Sequence, residues 1–366
     1  MKIAIEAQRI FRPNKHGMDF VALETIRCLQ RLDTKNEYFI FTGEGEDRCL
    51  EESPNMHITT LRCPSYPLWE QWALPRAVAR VKPDLLHCTS NTAPVWGNAP
   101  LILTLHDIIF LEQQAARNKS LYQSLGRVYR RLVVPRILPR CRMVITVSQF
   151  ECDRIRTALN FDPGRIMAIH NGYNDRFRPM EGTAETVRKY LRDPEYLFFL
   201  GNTDPKKNTP GTLKAYAEYV RLVADLGEQP AEAILREIGE PRLRGMLRLA
   251  GYIPNSDLPA IYNRASAFLY TSLRESFGIP QLEAMACGTP VVTSATSAIP
   301  EVAGEGAILV DPTDPKAIAD ALLRLETDAA FRARQVAYGL ERVKRFSWEK
   351  TARHLLALYE SLGKTN

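Results

Sequence analysis

The feature that most constrains this chain is a sustained alternation of short apolar runs with longer amphipathic stretches. Lys2–Ala7, Tyr38–Thr42, Met56–Leu61, Asp84–Cys88, Leu101–Leu105, Met143–Val147 and Arg165–Ile169 have the length and apolar content of buried strands. Between them, Phe20–Leu32, Leu68–Val81, Leu121–Ile137 and Gln149–Ala158 carry apolar residues at helical spacing. Strand, helix and strand in series close by right-handed crossovers into a parallel pair. The pattern therefore predicts an α/β fold built on a doubly wound parallel sheet.

The alternation breaks at Asn171-Gly172-Tyr173-Asn174-Asp175, a cluster of turn residues followed by Pro179, Gly182 and Pro194. It then restarts with strands at Tyr196–Leu200, Arg221–Ala224, Leu247–Leu249, Ala267–Tyr270, Pro290–Thr293 and Ala307–Val310. Helices are expected around Thr212–Tyr219, Leu258–Ala265, from Pro280 onward, and at Lys316–Leu325. A chain of 366 residues exceeds what one hydrophobic core usually supports. The expected organisation is a first domain over 1–172, a linker over 173–193 and a second domain over 194–345. A closing helix over 346–366 is expected to pack back towards the first domain. Ligands of open α/β sheets bind beyond the carboxyl ends of the strands, so a cleft between the two domains is the expected site.

The richest stretch is Glu275-Ser276-Phe277-Gly278-Ile279-Pro280-Gln281-Leu282-Glu283-Ala284-Met285-Ala286-Cys287-Gly288-Thr289-Pro290-Val291-Val292. It follows a strand, which puts Glu275 on a strand-to-helix loop. Pro280 suits the opening of a helix, where a missing N–H costs nothing. The amides near Gly278 and Ile279 then form a seat for a diphosphate. Glu283 would accept hydrogen bonds from ribose hydroxyls, and Glu275 would reach the sugar beyond the phosphates. The bland alternative leaves Glu275 solvated and Glu283 complementing the helix dipole.

This string resembles the E-x7-E signature of the family 4 retaining glycosyltransferases, and Pro300-Glu301-Val302-Ala303-Gly304 with Val310-Asp311-Pro312 resembles its continuation. The resemblance implies the GT-B fold, two Rossmann-like domains facing across a cleft, with a nucleotide-sugar donor site in the second and an acceptor site largely in the first. It implies a hexosyltransferase whose product keeps the α-anomer. Gly201-Asn202-Thr203-Asp204-Pro205-Lys206-Lys207-Asn208 is similar to the family loop whose basic pair holds the donor phosphates, with Lys206 standing where arginine is usual. Gly251-Tyr252-Ile253-Pro254 resembles the segment lining the nucleobase pocket. His106-Asp107, at a strand end, resembles a His-Asp pair whose histidine contacts the donor sugar, and Asp107 either orients that ring or caps the next helix. Carried over residue by residue, Glu275, His106 and Lys207 are the catalytic candidates. Glu283, Lys206, Gly278, Ile279, Phe277, Gly17, Asn202 and Tyr252 are the donor-binding ones.

Two places depart from the family pattern. The first loop, Arg12-Pro13-Asn14-Lys15-His16-Gly17-Met18, has a single glycine where family members are glycine-rich, and the chain between Gly211 and Leu247 is hard to match. Ser148 sits at a recurrent family position and equally suits a helix N-cap. No D-x-D pair occurs, so no metal is expected at the diphosphate and no cofactor beyond the substrate.

Between Gln113 and Phe150 the chain carries eight basic residues, Arg117, Lys119, Arg127, Arg130, Arg131, Arg136, Arg140 and Arg142, and no Asp or Glu. Interleaved with apolar residues, segment 117–142 reads either as a face for anionic lipid or a lipid-diphosphate acceptor, or as an ordinary solvated helix face. No recognition module supports nucleic-acid binding. The seven scattered cysteines suit buried thiols in a reducing compartment. The strand-like start has no secretion-signal layout, and no apolar stretch is long enough to span a bilayer. The expectation is a cytoplasmic enzyme, peripheral to the inner face of the plasma membrane, moving a hexosyl group, with mannosyl the first candidate, from a GDP- or UDP-sugar to a glycan or lipid-linked acceptor in cell-surface polysaccharide or lipopolysaccharide biosynthesis. A nucleotide-sugar hydrolase or epimerase, or a non-catalytic binding subunit on the same fold, are the alternatives.

Overall fold

The computed structural model describes residues 1–112, 121–191, 195–215 and 221–363. Arg117 and Lys119 of the basic segment, and the end of the helix expected at Thr212–Tyr219, lie outside the described residues. The chain divides into two compact units, Met1–Asn171 with Trp348–Asn366, and Gly172–Ser347.

The first unit holds strands β1 (Lys2–Glu6), β2 (Glu37–Thr42), β3 (Met56–Thr60), β4 (Leu85–Cys88), β5 (Leu101–Thr104), β6 (Cys141–Thr146) and β7 (Ile166–Ala168). They form one sheet in the order β3-β2-β1-β4-β5-β6-β7, every neighbouring pair parallel. The second unit holds β8 (Leu197–Leu200), β9 (Arg221–Ala224), β10 (Leu247–Gly251), β11 (Ala267–Tyr270), β12 (Val291–Ser294) and β13 (Ile308–Val310), in the order β10-β9-β8-β11-β12-β13, again parallel throughout. Helices cover both faces of such a sheet, so its central strands read as unbroken apolar runs: Leu101 to Thr104 is buried at every position, as is Ala267 to Tyr270. In each sheet the order reverses once, at β1/β4 and at β8/β11. Crossovers leave in opposite directions there and open a crevice at the carboxyl ends of the strands.

Three features differ from the sequence reading. The segment 173–193, expected as a linker, is part of the second unit. Phe177 is buried edge-on against Tyr262, Asn263 donates to the carbonyl of Arg178, and Ala184–Arg188 is helical. Turn residues marked where the path changes unit, not a free connector. Second, the single helix expected at Leu68–Val81 is helical at Tyr66–Leu68, opens into a wide π turn at Trp69–Ala73 and resumes at Leu74–Val81. Pro75 has no N–H to give, and the amide of Leu74 reaches back five residues to Trp69. Third, helices Glu228–Glu237 and Ala329–Val343 were not anticipated. The former buries only Ala231 and Leu235, too thin a stripe to register. The latter packs through Phe331, Gly339 and Val343, and at Gly339 an added Cβ would stand 3.2 Å from the carbonyl of Gly306, so the backbones approach closely there.

Candidate active site

The second unit builds its site at the β8/β11 reversal. β8 runs into Gly201, where an added Cβ would lie 2.6 Å from Cγ1 of Val223, so only glycine lets the chain leave the sheet there. The carboxylate of Asp204 caps the short turn Pro205–Lys207 by accepting the amide of Lys206 at 3.1 Å. Asn208, left-handed at φ 52°, donates through Nδ2 to the carbonyls of Thr271 (3.1 Å) and Pro312 (2.6 Å). The amide of Leu273 donates to the carbonyl of Lys206 at 2.6 Å. These bonds stitch the loop after β8 to the loop after β11. Lys207 and Glu275, far apart in sequence, meet as a result: Lys207 Nζ donates to Glu275 Oε1 at 2.6 Å.

Glu275 is held from two further sides. Its amide donates to Ser297 Oγ at 3.1 Å, and the buried Tyr270 phenol lies beside its carboxylate. Burial, then the charge of Glu275, pushes the Tyr270 phenol far above its ordinary value, so it stays a donor at any working pH. Lys207 Nζ lies 5.6 Å from the centre of the Tyr270 ring. The pair remains partly open to solvent, with side-chain exposures of 26% for Lys207 and 13% for Glu275.

After Glu275 the chain turns through Gly278 into helix Ile279–Ala286. Gly278 has φ 95°, and an added Cβ would stand 2.9 Å from Nε2 of Gln281, so conformation and space both demand glycine. Ile279 opens the helix and Pro280 follows, which leaves the first-turn amides without helical acceptors. Glu283 is the fifth helical residue, just past the first turn. It is half-buried, accepts from the Tyr262 hydroxyl at 3.4 Å, and has the Arg176 charge nearby. Burial raises its carboxyl to about 7 against the opposing pull of Arg176.

The remaining donor-binding candidates are placed less evenly. Lys206 is turned to its own loop, its ammonium 3.6 Å from Asp204, instead of joining Lys207 at Glu275. Asn202 is exposed and accepts the amide of Asp204. Tyr252 is exposed at the end of β10. The Phe277 side chain is buried and packs edge-on against Phe346.

His106 and Gly17 belong to the first unit, every other candidate to the second. His106 is buried just past β5. Its amide donates to Asn91 Oδ1 at 2.6 Å and its Nε2 lies 3.0 Å from the carbonyl of Thr89. A carbonyl only accepts, so Nε2 carries the proton. Burial lowers the imidazole's pKa, which keeps the ring neutral and leaves Nδ1 as an acceptor. Asp107 accepts the amide of Ile109 at 3.0 Å and so caps the following turn. Gly17 opens helix Gly17–Leu32 with nothing within 4 Å of an added Cβ, so protein packing alone does not demand glycine there. The neighbouring Lys15 is ion-paired with Asp47. Ser148 is an N-cap, its Oγ accepting the amide of Glu151.

Several residues beside these candidates were not singled out from sequence. Glu6, wholly buried at the end of β1, accepts the amides of Gln8 and Thr89 and thereby fixes the carbonyl that holds His106. Burial raises its carboxyl. Tyr270 and Arg176 stand beside the two glutamates of the second unit. An aromatic closing a strand was a faint signal for Tyr270, whereas Arg176 lay in what read as a linker. Among the described residues no three His, Cys, Asp or Glu side chains gather as metal ligands. The seven cysteines form no disulfide, and no described helix is long and apolar enough to cross a membrane.

A parallel-sheet pair with a Lys–Glu couple and a helix N-terminus at a strand-order reversal defines a nucleotide-binding class of α/β protein. Residues 16–177 match the family described as Glycosyltransferase Family 4, and residues 184–342 match Glycosyl transferases group 1. The chain belongs to this glycosyltransferase family. It is similar to O-antigen chain mannosyltransferase B of Escherichia coli, 31% identical over 237 residues covering 62% of each protein. The match thus spans less than two thirds of that relative's length. In fold it is similar to sucrose-phosphate synthase from Thermosynechococcus elongatus, with TM-score 0.78, 21% identity and all of both chains covered. A second likeness is Anabaena HepE in complex with UDP and glucose, with TM-score 0.73, 18% identity and 99% and 100% covered.

Proposed function

We propose that the protein is a retaining hexosyltransferase that moves a sugar, mannose in the first instance, from a nucleoside-diphosphate donor to a glycan or lipid-linked acceptor. The observation that carries this is the Lys207–Glu275 contact beside the N-terminus of helix Ile279–Ala286. A diphosphate seated on the first-turn amides places its negative charge within reach of Lys207, and the departing diphosphate gathers charge as the glycosidic bond breaks. Glu275 then faces the sugar and accepts from its hydroxyls, with Lys207 holding the carboxylate in place. Glu283 takes the ribose hydroxyls. Lys206, Asn202, Tyr252 and the backbone at Phe277, Gly278 and Ile279 complete the second unit's donor-binding set, and Gly17 and His106 are the candidates of the first unit, His106 through its accepting Nδ1. The bond from the anomeric carbon to the leaving phosphate oxygen breaks as the acceptor oxygen bonds on the same face, and the acceptor's proton passes to a phosphate oxygen. The mannosyltransferase name of the Escherichia coli relative supports the sugar and supports a place in cell-surface polysaccharide or lipopolysaccharide assembly. The UDP in the Anabaena complex supports a nucleotide in this fold. The reading places the enzyme in the cytoplasm, meeting the inner face of the plasma membrane through segment 117–142.

A thermal-shift screen of GDP-, UDP- and ADP-sugars tests it. One donor is expected to stabilise the chain by about 2.7 kcal/mol at a hundred times its Kd, and the others far less. A chain that none of them stabilises is not a nucleotide-sugar enzyme.

Glu283 adds a pH signature. Ribose hydroxyls donate best to the ionised carboxylate, and with a pKa of about 7 that form is the minority at pH 6 and the majority at pH 8. Donor affinity is expected to rise about tenfold across that interval, with proton release, and to be flat in Glu283→Gln. Calorimetry in two buffers of different ionisation enthalpy reads both. A flat wild-type profile would remove Glu283 from the ribose.

A further inference from the structure

Strands β8, β9 and β10 are parallel neighbours, so the loops that leave their carboxyl ends share one rim of the second sheet. The loop after β8 carries Lys206 and Lys207, and the loop after β10 carries Tyr252. Between them stands Asp225, the first residue past β9. Its amide donates to the carbonyl of Gly251 at 2.9 Å, and the amide of Gly201 donates to the carbonyl of Ala224 at 3.0 Å. The residue is therefore tied into the rim on both sides.

Its backbone is left-handed, with φ 60°, a conformation that glycine adopts most readily. The chain nonetheless holds a carboxylate there. Other carboxylates of this rim have partners: Glu275 pairs with Lys207, Asp204 with Lys206, and Glu283 accepts from Tyr262. Among the described residues none donates to the Asp225 carboxylate, and partial burial raises its carboxyl with no hydrogen bond or cation to offset it. Beside it the space is open. Gly251 has φ 62° and nothing within 4 Å of an added Cβ, and Tyr252, next in the chain, is 70% exposed. On the other side Asp225 shares a neighbour with Glu283. The charges of both bear on the buried Tyr262 phenol, whose hydroxyl lies 3.4 Å from Glu283 Oε2.

We infer that Asp225 reads the nucleobase of the donor and selects guanine, its two carboxylate oxygens accepting from N1–H and from the 2-amino group. The inference rests on the transferase reading, in which Glu283 takes the ribose. The base continues from the ribose away from the phosphates, and Asp225 stands beside Glu283 across Tyr262, with the open space at Gly251 to admit a flat ring. Chemistry decides which base. An ionised carboxylate only accepts, so it favours an edge that offers two donors side by side. Among the common bases guanine alone does so. Uracil presents one N–H between two carbonyls, and adenine and cytosine present one amine beside a ring nitrogen that only accepts. With each of these a carboxylate oxygen is left facing a lone pair, a mismatch that costs more than a missing contact.

Calorimetric titration of the full chain with nucleoside diphosphates tests this. GDP is expected to bind about tenfold or more tightly than UDP, ADP or CDP. Inosine diphosphate, which keeps N1–H and lacks the amino group, should also fall about tenfold behind GDP. Asp225→Asn should invert the preference between GDP and xanthosine diphosphate, whose C2 carbonyl accepts from the new amide while its N1–H donates to the remaining oxygen. Asp225→Gly, which suits the left-handed backbone, should bind GDP and inosine diphosphate equally. Both variants should keep the melting temperature of the ligand-free chain, since no protein contact of the carboxylate is lost. Wild type that binds UDP or ADP as tightly as GDP, or an Asp225→Asn chain that still prefers GDP to xanthosine diphosphate, would overturn the selection and leave the transferase reading standing. A chain that binds no nucleoside diphosphate would overturn both.

Discussion

Glu275→Ala is expected to lower kcat by about 10³-fold or more while donor Kd stays within a few-fold of wild type or tightens. The split follows from the contact at 2.6 Å. Lys207 donates to Glu275, and removing the carboxylate frees the ammonium for the diphosphate, so binding need not suffer. What is lost is the acceptor for the sugar's hydroxyls at the reacting end. Lys207→Ala should show the converse: weaker donor binding, and a rate reduced about 10²- to 10³-fold through poorer stabilisation of the departing charge. The double variant should be little worse than the worse single one, because two side chains joined by one hydrogen bond act as a unit. Stability should change by no more than about 1 kcal/mol in each case, since the pair is partly open to water. Turnover with donor and acceptor, alongside calorimetric donor binding, measures all three. Undiminished kcat in Glu275→Ala would sink the assignment.

The second large effect is on stability. His87 is buried on β4, its Nδ1 2.6 Å from the Tyr359 hydroxyl of the closing helix and its Nε2 2.7 Å from Thr104 Oγ1. Burial first, then the charge of nearby His106, lowers its pKa to about 3. The unfolded chain takes up this proton near 6.5 and the folded one only near 3. The stabilisation is therefore complete above 6.5 and is lost as pH falls towards 3, by about 1.4 kcal/mol per unit. All four tryptophans, Trp69, Trp72, Trp96 and Trp348, lie in the first unit, so their fluorescence in urea unfolding reports that unit alone. His87→Gln should be destabilised at pH 7, and the gap to wild type should shrink by about 2.7 kcal/mol at pH 4.5. The comparison cancels the buried carboxyls of Glu6 and Glu70, whose raised values act in the opposite sense in both chains. A gap that is constant with pH would mean that His87 is not held neutral.

Strand after strand was legible in the sequence, because a sheet covered on both faces demands continuous apolar runs and those runs are local. The Glu275-to-Glu283 string was legible for the same reason: a loop glycine, a proline and a helix start must follow one another in order. Helix Ala329–Val343 was not, since the middle of its packed face is Gly339, set against the backbone at Gly306, and a glycine there interrupts the apolar pattern between Phe331 and Val343. Nor was the start of the supposed linker, where Arg176 and Phe177 become parts of the second unit only by meeting Glu283 and Tyr262.

By itself the sequence determined the two parallel sheets and the family, both of which depend on neighbours within a few positions along the chain. Tertiary structure alone decided that Lys207 and not Lys206 meets Glu275, that Phe277 turns to the core, that Glu6 steadies His106 through Thr89, and that Glu70 meets Tyr129 of helix Leu121–Ile137. Each of those outcomes joins residues from separate strands or helices. Which donor finds which acceptor is fixed by the register of packed elements and by the cost of leaving a buried polar group without a partner, and neither quantity exists until the chain has closed.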